Sequence, residues 1–384
     1  MAAKKRKIGI IFGGRSGEHE VSLRSARSVM AALDKDKYEV VPIGITKNGR
    51  WLTGNAMAAL SDGAASQPAT LLPDPQSSTL LQMSSEKALV SASGEAAASE
   101  TTLSAVTELD VIFPVLHGTF GEDGTVQGLL ELADIPYIGA GVVGSAVGMD
   151  KAIFKGVMVA NDIPILPWRL YTRRQWASDP ERVMNDIEAA LTYPVFTKPA
   201  NLGSSVGIQK CDDRAELRSG LDEAAQYDRR IVVEQGINVR ELEVSVLGND
   251  DPIASVVGEI RPRREFYDYT AKYLTEPGSE EDSELIIPAQ IDKQLSDEIR
   301  TLAVRAYRAI DCAGLARVDL MIDRDNGRLY MNEINTIPGF TSISMYPKLW
   351  EATGISYSEL LDRLIDLAIE RHEEKASLKR TFGA

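Results

Sequence analysis

Cysteine is scarce: Cys211 and Cys312 are the only two in 384 residues, and they stand far apart. Such a pair builds neither a disulfide framework nor a thiolate metal site, so both are expected as reduced core residues. Positive charge is in deficit. With 42 Lys plus Arg against 56 Asp plus Glu, the formal net charge is −14, which repels nucleic acid and anionic lipid at long range. No nucleic-acid partner is expected. Long apolar runs are missing too: none approaches the ~20 residues of a membrane helix. The basic start Lys4-Lys5-Arg6-Lys7 precedes only the short run Ile8 to Phe12, too brief for the apolar core of a signal peptide. A cytoplasmic protein with no membrane association is the expectation. The remaining composition, 44% hydrophobic and 26% charged, suits any globular enzyme and is silent about chemistry.

At roughly 100–200 residues per domain the length predicts two or three domains. Lys7 to Phe12 reads as a strand ending in Gly13-Gly14, and a helix is expected from about Val21 to Leu33. Tyr38 to Ile45 and Leu109 to Leu116 read as further strands, the alternation of a parallel α/β sheet whose ligands bind at the strands' C-terminal ends. Between Asn55 and Leu109 there is no aromatic residue and no arginine. That stretch is expected as an insertion with about two short strands and little to anchor a core. A second lobe is expected from about Ala140, with Lys151 on a helix and a strand Tyr193 to Pro199. Ile231 to Gln235 closes it, Glu241 to Gly248 opens a third region, and helices follow from Ser358.

The strongest chemical signal lies between Arg317 and Asn335, where two alternating apolar runs flank Asp325-Asn326-Gly327. A three-residue hairpin loop with Gly327 left-handed would pair Arg324 with Arg328 and place Asp319 opposite Glu333. Glu333 and Asn335, two apart, share a face, so three oxygen ligands converge where like charges would otherwise repel. Mg²⁺ suits that set and leaves positions open for substrate phosphates. A lone acidic pair is more simply a solvated hairpin face. Apolar Val318, Leu320, Ile322 and Ile334 in the alternate positions argue for the buried alternative.

Other segments carry weaker signals. Asn201 to Gly207 is small and flexible enough to cradle phosphate oxygens, yet it is not a Walker loop, and Gly13 to Gly17 lacks the dinucleotide spacing. Lys198, before that loop, and Lys151 are candidate phosphate contacts; for either one alone an exposed side chain is the simpler reading. Glu18-His19-Glu20 offers an anion for a substrate ammonium, or equally a charge matched to a helix N-terminus. His117, opening the run to Gly124, is a candidate electrostatic or proton-transfer group, while His372 reads as surface. Phe266 to Tyr273 reads as a lid, and the turn after Asn335 makes the Gly339 N–H a candidate oxyanion donor.

Taken in order, Gly13-Gly14-Arg15-Ser16-Gly17-Glu18-His19-Glu20-Val21-Ser22, His117 to Gly124, Gly203 to Gly207, Tyr267 to Tyr273 and Arg317 through Thr341 resemble the D-alanine:D-alanine ligases. These are ATP-grasp enzymes of peptidoglycan precursor synthesis, and the resemblance runs from about Lys7 to about Leu364, the insertion apart. It implies an α/β chain in which an ATP-grasp fold of two α+β lobes follows a Rossmann-like, parallel-sheet N-terminal domain. The expected limits are 1–139 with the insertion at about 55–108, then 140–236, then 237–384.

The implied reaction has two steps: one D-alanine carboxylate attacks the γ-phosphate of ATP to give an acyl phosphate, and the amine of a second D-alanine displaces phosphate. By resemblance, Asp319, Glu333 and Asn335 hold two Mg²⁺ (or Mn²⁺) ions. Lys151, Lys198 and Ser205 belong to the nucleotide phosphates, and Glu234 and Glu241 to its adenine and ribose side. Glu18 holds the first D-alanine's ammonium with His117 nearby, Ser344 and Lys272 the second substrate's carboxylate, and Arg317 with the Gly339 N–H the tetrahedral intermediate. Tyr273, with Ser204 and Glu18, closes the lid and receives the amine's proton. A homodimer is implied. An acceptor such as D-lactate is the alternative, against which Tyr273 speaks, since relatives making the depsipeptide replace that tyrosine. A silent nucleotide-binding regulator would be expected to lose a metal carboxylate or Arg317, and both are present.

Overall fold

The computed structural model describes residues 4–85, 101–261 and 284–379. The chain divides into two compact units, one holding residues up to Gly121, Thr125–Ile138 and the chain from Leu361, the other Glu122–Gly124 and Gly139–Leu360. Among the described residues no helix is long and apolar enough to cross a membrane.

The first unit is built on a seven-stranded sheet. Its strands are β1 (Arg6–Gly13), β2 (Tyr38–Ile45), β3 (Trp51–Thr53), β4 (Gln67–Leu71), β5 (Thr79–Ser85), β6 (Thr101–Glu108) and β7 (Val111–Val115), in the order β6-β5-β4-β3-β2-β1-β7. β1 runs parallel to β2 and β7, whereas the steps from β2 out to β6 are antiparallel. The parallel part agrees with the sequence reading; the insertion does not. It contributes three strands rather than two, with a helix Ala56–Asp62 before them. Its aliphatics also join the core: Ala69, Leu71 and Leu80 are buried with Val41, Ile43 and Ile112. Strand alternation gathers small aliphatic side chains on one face, so a core contribution needs no aromatic residue.

Two glycines fix the C-terminal end of β1. Gly13 has φ +90°, and a Cβ there would stand 2.2 Å from the Ile45 carbonyl oxygen; only glycine permits that backbone. Ser22 ties the same end together, its Oγ accepting from Gly13 N at 2.8 Å and donating to the Val115 carbonyl. Ser22 lies on the helix His19–Ala32, which starts two residues earlier than its periodicity predicted.

From Leu361 on, the C-terminal helix Tyr357–Ser377 buries Leu361, Leu364, Ile365 and Ala368 at helical spacing. His372 is not a free surface group: its Nε2 stands 2.9 Å from the Asp134 carbonyl oxygen. The helix is charged, but its inner face packs, and His372 sits at the edge of that face.

The second unit contains two antiparallel sheets. One has the strands β8 (Trp168–Thr172), β9 (Val195–Pro199), β10 (Gln209–Cys211) and β11 (Arg230–Gln235), in the order β10-β9-β11-β8. Helices Arg173–Ser178, Pro180–Ala190 and Arg214–Tyr227 give it Trp176, Val183, Ile187, Leu217 and Leu221 as core. The other has β12 (Val239–Gly248), β13 (Ile253–Arg261), β14 (Glu284–Ile286), β15 (Gly314–Asp323) and β16 (Leu329–Asn335), ordered β14-β13-β12-β15-β16. The helix Lys293–Ala309 buries Ile299, Leu302 and Tyr307 in the same core as Val244, Val318 and Leu320. Both cysteines are buried thiols.

Candidate functional site

The hairpin β15–β16 delivers the expected pairing by an unexpected route. Asp319 pairs with Glu333, but the turn holds four residues, Arg324 to Gly327: Asp323 N donates to the Arg328 carbonyl at 3.0 Å and Gly327 N to the Asp323 carbonyl at 2.7 Å. Arg324 therefore does not face Arg328. From that turn the ladder runs Ile322 to Leu329, Met321 to Tyr330 and Leu320 to Met331, one residue out of the expected register. A bulge between Leu320 and Asp319 leaves Asn332 unpaired and restores the register. Gly327 is left-handed as expected, at φ +73°, while the Asp323 carboxylate accepts from Asp325 N and Asn326 Nδ2 and so holds the longer turn.

Across three strands the carboxylates form a row, since Asp319 pairs with Glu333 on one side and with Glu243 of β12 on the other. Arg317, two residues along β15 on the same face, neutralises part of it. Its Nε and Nη2 donate to the two Asp319 oxygens at 2.7 and 2.6 Å, and its Nε lies 3.0 Å from Glu243 Oε2. Asn335 pairs with Arg317 and its Nδ2 donates to Asp319 Oδ2 at 3.0 Å. Arg317, Asp319 and Asn335 thus stand together, with Glu333 beside them. Among the described residues no three His, Cys, Asp or Glu side chains converge as a metal-holding group; the oxygen set here is two carboxylates and an amide.

Cations reach this hairpin from the helix Lys151–Ala160. Asp150 caps it, accepting from Ala152 N and Ile153 N, and pairs with Arg230 of β11, which pins the helix start to the four-stranded sheet. Lys151 Nζ donates to the Leu202 carbonyl at 2.7 Å and stands 4.0 Å from Glu333 Oε2. Lys198, on β9, pairs with Glu234 of β11. Glu234 is 2% exposed, and its other oxygen pairs with Lys155, a residue the sequence reading missed. Burial pushes the Glu234 carboxyl up, and the two ammonium groups overcome this and hold it at about 2. The missed signal was modest: Lys151 and Lys155 are the only charged residues of that helix and sit at i, i+4 on one face.

The loop from Asn201 to Gly207 is strained where the phosphate cradle was expected. Ser204 and Ser205 are left-handed at φ +53° and +58°, and Gly207 follows at +70°; for the serines that conformation costs about 1–2 kcal/mol each. Gly339 and Ser344 come together in the turn after β16: a Cβ on Gly339 would lie 3.2 Å from Ser344 Oγ, which accepts from Thr341 N at 3.1 Å. Glu122, from the run His117 to Gly124, anchors that turn, with Ile337 N donating to its Oε1 at 3.2 Å. Glu122 and Glu243 were not singled out by sequence, because neither spacing nor neighbours announce their partners. Glu241 lies on β12, half-buried, on the same face as Glu243.

In the first unit, Glu18 and His117 are both buried. The Glu18 carboxylate makes no capping bond to the helix it precedes. The His117 loop comes close to Glu18: a Cβ on Gly118, itself at φ +74°, would stand 2.4 Å from Glu18 Oε2. His117 Nε2 is 2.9 Å from Ser25 Oγ. Glu20 instead forms a surface pair with Lys47, whose hydrogen bond holds its carboxyl below the usual range. Lys272, Tyr273 and the expected lid lie outside the described residues.

Comparison with known proteins gives a consistent result. Family models described as D-ala D-ala ligase N-terminus and C-terminus match residues 7–140 and 157–366. A "D-alanine--D-alanine ligase" of Heliobacterium modesticaldum is 51% identical over 374 residues, covering 97% of this chain and 96% of the relative. One from Natranaerobius thermophilus is 47% identical over 376 residues, 97% of each. Among solved structures, the D-alanine-D-alanine ligase from Coxiella burnetii has a TM-score of 0.79 at 34% identity, covering 97% of each chain. The VanG D-Ala:D-Ser ligase from Enterococcus faecalis has the same TM-score of 0.79 at 35% identity, covering 95% of this chain and 100% of that one.

Proposed function

The chain belongs to the D-alanine:D-alanine ligase family, and from that premise we propose how its own residues divide the work. It is an ATP-dependent ligase that joins two D-alanine molecules into D-alanyl-D-alanine through a D-alanyl phosphate, for peptidoglycan precursor synthesis. The observation that carries the residue assignments is the Asp319–Glu333 pairing, with Arg317 and Asn335 on the same face. Phosphoryl transfer is chiefly positioning and charge compensation, and that face concentrates both signs of charge.

Hard oxygen donors on paired strands suit Mg²⁺ or Mn²⁺. Asp319, Glu333 and the Asn335 amide oxygen would hold two such ions, whose chemistry is to offset triphosphate charge. Lys151, Lys198 and Ser205 hold phosphate oxygens; Glu234 and Glu241 belong to the nucleoside side. Glu18 accepts the ammonium of the first D-alanine, with the buried His117 fixing the surrounding charge. Lys272 and Ser344 hold the second carboxylate, and Ser204 with Tyr273 takes the proton that the incoming amine loses. Negative charge developing on the attacked carbonyl oxygen is met by the Arg317 guanidinium and the Gly339 N–H.

The division 1–139, 140–236 and 237–384, a homodimer and a cytoplasmic location belong to the same reading; sedimentation of the purified chain tests the dimer. The decisive assay is release of ADP. It should require D-alanine and Mg²⁺ together and yield D-alanyl-D-alanine by chromatography, also when D-serine or D-lactate competes. ATP turnover indifferent to D-alanine would refute the reading.

A further inference from the structure

The cluster Lys155–Glu234–Lys198 holds two cations for one carboxylate, and its members differ in exposure. The side chains of Lys155 and Glu234 are each 3% exposed, whereas that of Lys198 is 12% exposed. Each lysine takes a different oxygen: Lys155 pairs with Oε1 and Lys198 with Oε2. The two lysines reach Glu234 from different elements. Lys198 lies diagonally across the sheet, because Glu234 pairs with Phe196, two residues away on the same face. Lys155 comes from the helix Lys151–Ala160, which packs on that sheet through Ala152 against Val232 and Ala200.

A buried carboxylate with one cationic partner holds that partner tightly, because releasing it strands a charge in a medium of low polarity. With two partners, one is released at far smaller cost. Building on the ligase reading, we propose that Lys155 is a positioning residue. It is the permanent counter-ion of Glu234, and it frees Lys198 to turn from Glu234 to a phosphate of the nucleotide. Lys155 is the more buried of the two lysines and sits on the helix that Asp150 fixes to the sheet, so it stays. Lys198 is the more exposed and precedes the left-handed serine loop, so it moves.

The proposal separates binding from chemistry. In the full-length enzyme Lys155→Met leaves Glu234 with Lys198 alone, and Glu234 then competes with ATP for it. KM for ATP should rise by about tenfold or more while kcat changes by less than about threefold. Glu234→Gln removes the competitor together with Glu234's own contact to the nucleoside, so it sets a new baseline; against that baseline Lys155→Met should change KM by less than about twofold, which a purely structural role for Lys155 does not predict. Should circular dichroism show Lys155→Met alone unfolded, the same comparison of Glu234→Gln with and without Lys155→Met carries the test, because the double variant keeps neither the Lys155 nor the Glu234 charge. An unchanged KM in a folded Lys155→Met, or a loss on adding Lys155→Met to Glu234→Gln as large as the loss in wild type, overturns the proposal. Wild-type enzyme that releases no ADP in response to D-alanine sinks the ligase reading instead.

Discussion

The second unit carries two charge clusters with opposite imbalances. On β12, β15 and β16 the carboxylates Glu243, Asp319 and Glu333 outnumber the cations Arg317 and Lys151 by three to two. Around β9 and β11 the lysines Lys155 and Lys198 outnumber Glu234 by two to one. An excess of partly buried acid stabilises an added cation, and an excess of partly buried base stabilises an added anion. In the proposed function, a metal–triphosphate complex would satisfy both at once.

Breaking the acid-rich cluster should have the largest effect. Glu333→Gln removes one of its charges and one of the oxygens proposed to hold metal; kcat is expected to fall by about 10³-fold or more, as when a group serving the transition state is lost, with circular dichroism unchanged. Normal turnover in that variant would remove the metal assignment. The base-rich cluster should respond more weakly, because Lys151 remains: Lys198→Met is expected to lower kcat/KM for ATP by about 10²-fold, measured by coupled ADP release.

Acid should distinguish the clusters without substrate. The Glu234 carboxyl is held at about 2 against a usual value of 4.5. Between those values the unfolded chain binds a proton there that the native chain does not. The stability this group contributes is therefore complete above about pH 4.5 and is lost as pH falls toward 2. Thermal melts at pH 5 and pH 3 should show a shallower decline for Glu234→Gln than for wild type. Equal declines would mean that Glu234 is not held ionised. The smallest effect belongs to the strained loop that follows Lys198: Ser205→Gly relieves one left-handed serine at φ +58° and should raise Tm by about 1–3 °C. A drop in Tm would show that the serine side chain repays its strain.

Much of the candidate site was legible because its signals are local. Alternation placed Asp319, Glu333 and Asn335 on one face, and Gly327 announced its own left-handed turn. The loop length was not legible, and the correct pairing emerged only because the Asn332 bulge compensated for the longer turn. Nor was the insertion's share in the core, since Ala69, Leu71 and Leu80 look unremarkable until strand pairing aligns them. Glu122 was quoted within a motif, yet its bond to Ile337 N joins residues 215 positions apart.

The sequence by itself determined the element types, the glycine turns and which oxygen-bearing residues share a strand face, because these depend on backbone sterics and on periods of two and 3.6 residues. Only the tertiary structure decided which charges meet. Lys155 and Glu234 are separated by 79 residues, and Lys198 and Glu234 by 36. Whether a buried charge is stabilised depends on partners within a few ångströms, and chain packing sets those distances where local spacing does not.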